Sequence, residues 1–301
     1  MKTVFEEYSE IIPDFPLFQE RLKNPLPTHL RINSLLVEPA DLVGTLRQRG
    51  VHLARSSPEH DTLYEAPGLS SPGNLIEYFL GHIHPQALTS AMAAIVLGPR
   101  QDMALLDMCA APGGKSAHCA QIMGNTGLIV SNDLFAGRHV SLGHTLSRLG
   151  VLNTVVTGYQ AQEFPMKQRF DYVLADVPCS CEGKFRNRGA GDCYRDNRGR
   201  ERLPELQKRI ILRGFDLLRE DGQMLYSTCT YNPDENEAVV NTLLQERDAE
   251  LLPISVSLDV EPGITQWKSK SYDKRLGNAV RFYPHRVDSV GFFMARIGRR
   301  R

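Results

Sequence analysis

The stretch Asp107-Met-Cys-Ala-Ala-Pro-Gly-Gly-Lys115 decides the fold class, because it joins a buried strand to a helix. The apolar run Met103–Met108 predicts the strand, and the helix follows from Gly113. Small residues and two glycines let the backbone approach a ligand, and the helix start presents unpaired N–H groups. Such turns also occur as plain tight turns, and this one lacks the spacing of a P-loop. We favour a nucleoside cofactor over a purely structural turn.

Apolar strands and helices continue to alternate beyond this turn and predict a mostly parallel sheet. The further predicted elements are the strands Leu128–Asn132, Val151–Thr157, Phe170–Asp176 and Gln223–Thr228, and the helices Gly137–Leu149, Leu203–Leu218 and Pro233–Arg247. Asn232 is a plausible N-cap of the last helix. This order is typical of an α/β fold with helices on both faces of the sheet. Ligands bind beyond the carboxyl ends of such strands, so the residues after each strand are the candidates for chemistry.

A smaller α+β unit precedes the sheet. Residues 1–22 predict short helices, and Pro25 and Pro27 then break the chain. The elements predicted next are the strands Leu30–Leu36, Val51–Ala54 and Thr62–Ala66 and the helix Pro39–Arg49. We therefore divide the chain into an N-terminal unit of residues 1–81 and a larger domain of residues 82–301.

Composition sets few limits on function. The chain has 301 residues with 35 basic and 35 acidic side chains, and this balance is mild evidence against a large non-specific nucleic-acid footprint. The six cysteines form no CxxC pair and no secreted disulfide pattern. No apolar run approaches the roughly 20 residues of a membrane span, and the N-terminus has no signal-peptide pattern. We expect a cytoplasmic protein without a membrane partner.

Polar residues follow three of the predicted strands. Asp133 lies about 20 residues beyond the glycine turn, where dinucleotide folds hold ribose hydroxyls, although it could also cap the next helix. Parallel neighbours should bring Cys179 and Cys229 to one edge beside Asp176. A single cysteine there is more often a small buried apolar residue, but two beside polar groups favour chemistry.

A metal site is the other use that cysteines at these positions could have. Its candidate ligands are Cys179, Cys181 and Cys193, with a fourth ligand unidentified. Their spacing is irregular, and no histidine or further cysteine converges on them in the sequence. We therefore predict no metal.

Six segments together resemble one family. They are DMCAAPGGK, SNDLFAGR, DVPCSCEG, YSTCTYNPDENE, the C-terminal RFYPHRVDSVGFFMARI and the short RIN at Arg31–Asn33. In their order along the chain they resemble the signature segments of the Sun/Fmu family of RNA 5-methylcytosine methyltransferases. The resemblance covers nearly the whole chain. It implies a Rossmann-like S-adenosylmethionine methyltransferase fold and an N-terminal unit that binds RNA.

The resemblance also implies roles for individual residues. The methionine and ribose end of S-adenosylmethionine would be held by Cys109, Ala110, Ala111, Pro112, Gly113, Gly114 and Lys115. Asp133 would hold the ribose hydroxyls, with Arg138 in the same pocket. Asp176 would lie beside both the cofactor and the target base. Cys229 would be the nucleophile, and Cys179 would help to release the product.

One position departs from the family pattern. An aspartate usually lies near the adenine in a TxxDxxxF-like stretch, whereas Thr157–Phe164 has Gln160 at that place. A glutamine carbonyl can still accept a hydrogen bond from the adenine amino group, but the bond is no longer charge-assisted. We expect lower cofactor affinity than in relatives.

The chemistry explains why these side chains are needed. Carbon 5 of cytosine becomes nucleophilic once a thiolate adds at carbon 6, and a carboxyl group that holds or shares a proton, here Asp176, could donate to ring nitrogen 3. The base must leave its stack, which favours single-stranded or splayed rRNA or tRNA. A basic segment after Cys181 could contact phosphates, or could be only a solvated loop; it includes Lys184, Arg186 and Arg188.

Two other functions stay open at this point. A DNA cytosine methyltransferase would use the Pro-Cys thiol of Cys179 as its nucleophile and would leave Cys229 without a role. A non-catalytic RNA-binding ribosome-assembly factor could keep the fold without turnover, and Gln160 is the feature that points to it. Retention of both thiols and of Asp176 favours the enzyme.

Overall fold

The computed structural model describes residues 4–186 and 200–300. Its first elements are α1 (Phe15–Arg21), β1 (His29–Ile32), α2 (Pro39–Gln48), β2 (Ala54–Arg55), β3 (Leu63–Glu65), α3 (Ile76–Phe79) and β4 (Ile83–Pro85). The strands of this part form an antiparallel sheet in the order β2-β3-β1-β4. The small α+β unit is therefore present, but it does not end after residue 81. Because β4 pairs with β1, the unit extends to Pro85.

The large domain begins with α4 (Leu88–Leu97). The elements that follow are β5 (Ala104–Asp107), α5 (Gly114–Ile122), β6 (Leu128–Asn132), α6 (Ala136–Arg148), β7 (Thr154–Thr157), β8 (Phe170–Asp176), α7 (Leu203–Asp216), β9 (Leu218–Thr228), α8 (Glu237–Glu246), β10 (Ala249–Leu252), β11 (Glu261–Pro262), β12 (Gln266–Trp267), β13 (Lys270–Ser271), β14 (Val280–Phe282) and β15 (Phe292–Arg299). The strands β12 and β13 form a separate hairpin.

Within the described residues, one sheet has the strand order β11-β14-β15-β9-β8-β5-β6-β7, with β10 also paired to β15. The strands from β9 to β7 in this order run parallel to one another, and β15 runs antiparallel to β9. The predicted α/β fold and its parallel strands from β9 to β7 are confirmed, whereas β10, β11, β14 and β15 pair antiparallel and make the sheet a mixed one. After β7 the chain crosses back to β8, so the strand order reverses between β5 and β8. Such a reversal opens a crevice at the carboxyl ends of the two strands.

Helices cover both faces of the sheet, as predicted. Leu105 and Leu174 belong to an apolar cluster with residues of α4 and α5. Their neighbours in sequence, Leu106 and Val173, belong to a second cluster with residues of α7 and α8. Successive strand residues point to opposite faces, so both sides of these strands are buried. No helix in the described part of the chain is long and apolar enough to cross a membrane.

The N-terminal residues pack against the large domain rather than against the small sheet. Phe5 and Phe18 each lie 5.3 Å from the ring of Tyr231, centroid to centroid. These rings form one buried cluster with Tyr8 and Tyr283. Residues 1–22 were predicted to belong to the N-terminal unit. That prediction is wrong for the part from residue 4, because its apolar side chains are buried on the segment after β9.

The helix after β9 begins later than predicted. It starts at Glu237, with Asn236 at the N-cap position, and not at Pro233. Asn232 does not cap it; its side-chain oxygen accepts a hydrogen bond from the Asp234 N–H at 3.0 Å. Residues 233–236 form a turn that directs Glu235 toward the loop after β8. There the Glu235 carboxylate accepts the Ser180 N–H at 2.9 Å.

A buried ion pair joins β14 to α8. The Arg281 and Glu237 side chains are 2% and 0% exposed, and Arg281 Nε donates to Glu237 Oε1 at 2.7 Å. Arg281 Nη1 also donates to the Tyr231 carbonyl at 3.0 Å. The pair thus holds the segment that follows β9 against the end of the sheet.

We expect Arg281→Ala to lower the free energy of unfolding by about 3–5 kcal/mol, because it leaves the Glu237 carboxylate buried without a counter-charge. Urea denaturation followed by circular dichroism measures this. Arg219→Ala is the matched control, since Arg219 is 54% exposed in its ion pair with Asp171. It should cost less than about 1 kcal/mol. Equal losses in the two variants would contradict a structural role for the buried pair.

Candidate active site

A cavity of about 640 Å³ lies at the carboxyl ends of β5, β8 and β9. The predicted site residues that line it are Cys109, Ala110, Ala111, Pro112, Gly114, Lys115, Arg138, Asp176, Cys179, Lys184 and Cys229. The sequence interpretation missed His84 from β4, Gln86 directly after that strand, and Phe292 from β15. His84 and Gln86 carry no motif, and Phe292 belongs to the C-terminal RFYPHRVDSVGFFMARI segment, for which no site role was predicted. The cavity includes these residues because β4 and β15 lie beside the turn after β5.

The two glycines of this turn have different structural reasons. Gly113 has φ = +103°, a conformation that side-chain-bearing residues rarely adopt. A Cβ on Gly114 would lie 2.9 Å from His84 Nε2, so the absence of a side chain lets β4 approach. The sequence interpretation assigned both glycines to ligand contact. In the structure Gly114 lines the cavity, whereas Gly113 is not among the described residues that line it. Gly113 shapes the turn, and Gly114 lets the small unit pack against it.

Asp133 braces the turn from behind. Its carboxylate accepts the Ala111 N–H at 3.1 Å and the Phe135 N–H at 3.2 Å, and it pairs with Arg138 at 3.0 Å. Phe135 is the N-cap residue of α6, so the interaction also holds the start of that helix. Arg138 lines the cavity, whereas Asp133 lies beneath its surface.

Gln160 lies apart from these residues. Its side chain is exposed, donates to Glu163 Oε2 at 3.1 Å and accepts from Gln162 at 2.7 Å. It is absent from the described residues that line the cavity. The structure thus does not bring Gln160 together with the other predicted cofactor residues.

Asp176 meets two donors in the free protein. Lys115 Nζ lies 2.7 Å from Asp176 Oδ2, and Ser227 Oγ donates to Oδ1 at 2.8 Å. The contact with Ser227 follows from strand register, because Asp176 and Ser227 are partners across β8 and β9. Both carboxylate oxygens of Asp176 are thus held, one by the ion pair with Lys115 and the other by the Ser227 hydroxyl.

Asp107, at the end of β5, is an unpredicted titratable group in the cavity wall. Burial raises its pKa to about 7, and a hydrogen bond from Ser116 at 2.6 Å opposes the shift. The sequence signal that could have identified Asp107 is its position as the last residue of β5.

The two thiols meet, as predicted. Cys179 Sγ and Cys229 Sγ lie 3.4 Å apart, and Cys229 is 7% exposed. The hydrogen bond with Cys179 lowers the pKa of the Cys229 thiol, but contact with Cys181 and burial outweigh it and raise that pKa to about 12. Hydrogen bonds with Cys181 and Cys229 raise the pKa of Cys179 as well. Both groups are protonated thiols in the free protein near neutral pH.

Comparison with known proteins identifies the family. The family described as 16S rRNA methyltransferase RsmB/F matches residues 94–298. The chain belongs to this family. The resemblance to Sun/Fmu proteins noted from the six sequence segments is thereby confirmed.

Relatives of this RsmB/F member include proteins of different lengths. It is 34% identical to a tRNA (cytosine(49)-C(5))-methyltransferase of Pyrococcus abyssi, over 98% of this chain and 95% of that protein. It is 35% identical to a mouse 28S rRNA (cytosine-C(5))-methyltransferase over 96% of this chain, but it spans only 38% of the mouse protein. A solved methyltransferase homologue from Pyrococcus horikoshii has a TM-score of 0.81 and 31% identity, covering 95% of this chain and 90% of that one.

The residues of this RsmB/F chain that were predicted to contact RNA lie in different environments. Lys184 lines the cavity, and attraction to Cys229 raises its pKa. Arg186 is directed inward: Nη1 pairs with Asp288 at 2.7 Å and Nε donates to the Asn24 carbonyl at 2.9 Å. It therefore does not present a free guanidinium to phosphates, contrary to the prediction. Arg188 lies outside the described residues.

Glu182 ties the two cysteine loops together. Its carboxylate accepts the Thr230 hydroxyl at 2.8 Å, the Tyr231 N–H at 3.2 Å and the Tyr8 hydroxyl at 3.2 Å. Burial raises its pKa from 4.5 to about 7, against the hydrogen bond from Thr230. A residue of the Cys179 loop thus holds the Cys229 loop and the N-terminal segment.

This raised pKa predicts how stability depends on pH. The folded protein retains the Glu182 proton that the unfolded chain loses above pH 4.5, so this contribution to stability falls between pH 4.5 and about 7. The quantity to compare is the free energy of unfolding of the unmodified chain minus that of Glu182→Gln. We expect this difference to fall by on the order of 2 kcal/mol between pH 4.5 and about 7. Glu205→Gln is the control, because Glu205 is 73% exposed. Parallel stability curves for the unmodified chain and Glu182→Gln, measured by urea denaturation, would contradict the shift.

Proposed function

We propose that this chain is an S-adenosylmethionine-dependent RNA cytosine-5 methyltransferase that acts on rRNA or tRNA through a covalent Cys229 adduct. The observation that carries the proposal is the pair of thiols 3.4 Å apart, in one cavity with Asp176 and the glycine turn. Two buried cysteines that served packing alone would not need to line a cavity of this kind. The names of the relatives supply the reaction class.

The cavity suits the cofactor. It extends from the Cys109–Lys115 turn to the two thiols, so one molecule held at the turn reaches the place where a base would meet Cys229. Small side chains at Ala110 and Ala111 leave room for it, and Arg138 supplies a positive charge. S-adenosylmethionine would provide an electrophilic methyl group there.

Cys229 acts as the nucleophile in this proposal. Its sulfur, as the thiolate, adds to carbon 6 of cytosine, and the electrons of the carbon 5–carbon 6 double bond then become available at carbon 5 for attack on the methyl group. The resting thiol must first lose its proton, which the raised pKa of about 12 opposes. Lys184, in the same cavity, offsets the charge of the thiolate.

Asp176 positions the base and supports the adduct. A proton on its carboxyl group could be donated to ring nitrogen 3 as negative charge develops on the ring. Lys115 Nζ, 2.7 Å from Asp176 Oδ2, holds that oxygen in position. Ser227 holds the other carboxylate oxygen and keeps the side chain at the edge of the sheet.

Cys179 completes the reaction. After methyl transfer, carbon 5 carries both the methyl group and a hydrogen, and a base must remove this hydrogen as a proton so that the bond to Cys229 breaks. Cys179, or a water that it holds, is the candidate base, since its sulfur lies 3.4 Å from that of Cys229. The protein would act on an unstacked cytosine in the cytoplasm.

Replacing each of the two cysteines in turn by alanine tests this division of roles. Cys229→Ala should lower methylation at least about a thousandfold, because no adduct can form. Cys179→Ala should also lose turnover but accumulate a covalent RNA–protein adduct, visible as a shifted band on a denaturing gel. Cys119→Ala, a buried thiol of α5 away from the cavity, is the control. Activity in Cys229→Ala would contradict the proposal and favour the mechanism of DNA cytosine methyltransferases.

Calorimetric titration with S-adenosylmethionine separates the enzyme from a non-catalytic RNA-binding assembly factor. We expect one equivalent to bind. Gly113→Ala should bind more weakly by about tenfold or more, because alanine does not fit φ = +103° without distorting the turn. No detectable binding to the unmodified chain would favour the assembly factor.

A further inference from the structure

Three thiols, and not two, converge on the cavity. The sulfur atoms of Cys179, Cys181 and Cys229 lie within 4.8 Å of one another. Cys179 and Cys181 belong to the loop after β8, and Cys229 follows β9, so the parallel pairing of these strands brings them together. The proposed reaction uses Cys229 and Cys179 and leaves Cys181 without a role.

Cys181 is held in an unusual backbone conformation. It has φ = +59°, in the left-handed region where glycine is favoured and most other residues are strained. Its thiol donates to the Cys179 carbonyl at 3.4 Å. A glycine would adopt this positive φ without strain. The backbone conformation therefore does not explain why a cysteine occupies this position.

We propose that Cys179, Cys181 and Cys229 form a binding site for one thiophilic d¹⁰ cation such as Zn²⁺ or Cd²⁺. Zinc–thiolate bonds of about 2.3 Å in a tetrahedron place sulfurs about 3.8 Å apart, so small side-chain rotations suffice. Binding forms three metal–sulfur bonds and releases the three thiol protons to solvent. The fourth position faces the cavity and suits a water molecule.

Charge in the cavity supports this site. A divalent cation with three thiolates carries a net charge of −1, and the ammonium group of Lys184 lines the same cavity. The sequence interpretation disfavoured a metal because the spacing of its candidate ligands, Cys179, Cys181 and Cys193, is irregular and a fourth ligand was unidentified. In the structure Cys229 takes that place, and Cys193 lies outside the described residues.

The bound cation would block the nucleophile. With its sulfur coordinated to the metal, Cys229 cannot add to cytosine, so the ion acts as a reversible inhibitor. This consequence rests on the proposed function, whereas binding of the ion does not.

Titration of the reduced 301-residue chain with CdCl₂ tests the site. Binding is followed by calorimetry and by cadmium–thiolate absorption in the ultraviolet. We expect one equivalent to bind through three thiolates. Cys181→Gly keeps the backbone conformation and should weaken this binding by about 10–100-fold or more. Cys119→Ala also removes one thiol but should bind as the unmodified chain does.

Two results would overturn the inference: no saturable cadmium binding, or binding that Cys181→Gly leaves unchanged. Methylation assays distinguish this failure from failure of the proposed function. A chain that methylates RNA but does not bind cadmium refutes the metal site alone. A chain that binds cadmium through the three thiols but does not methylate RNA refutes the proposed function and leaves the site standing.

Discussion

Parallel pairing of β8 with β9 controls where the reactive side chains lie. Asp176 and Ser227 are partners in this register, so the residues after each strand leave the sheet at the same edge. Cys179 and Cys229 are 50 positions apart in the chain, yet their sulfurs lie 3.4 Å from each other. A shift of one residue would turn Asp176 or Ser227 to the other face of the sheet, since side chains alternate along a strand. The cavity chemistry depends on this register.

Buried carboxylates then hold the loops that follow these strands. Glu182 and Glu235 each accept backbone N–H groups from the facing loop, and Glu237 pairs with Arg281 beneath them. Burying a charge is unfavourable unless several donors satisfy it, and these groups have such donors. The N-terminal segment adds the Tyr8 hydroxyl to the Glu182 group. A stretch far from the cysteines in sequence therefore supports their geometry.

The electrostatic state of the cavity favours a resting protein with unreactive thiols. Burial and neighbouring sulfurs keep Cys229 and Cys179 protonated, while Asp176 is paired with Lys115. Bringing a base into the cavity excludes water and adds new hydrogen-bond partners, which can redistribute these protons. The thiols would then become reactive only after substrate binds. In the resting protein, the third thiol, Cys181, lies close to Cys179 and Cys229 and makes the site suitable for a soft cation.

The sequence by itself determined the fold class, the family and the bounds of some strands. The strands Leu128–Asn132 and Phe170–Asp176 have the bounds that their apolar patterns predicted, and the motifs placed Cys179, Cys229 and Asp176 at one edge. Local periodicity and strand order carry that information, because both are written in consecutive residues.

The tertiary structure alone decided which side chains face the cavity. It turned Arg186 toward Asp288, left Gln160 at the surface, packed the N-terminal aromatic residues on Tyr231 and brought Cys181 to the two other sulfurs. These contacts join residues that are distant in the chain. Docking of loops and strand register produce them, and the pattern of a single segment contains neither.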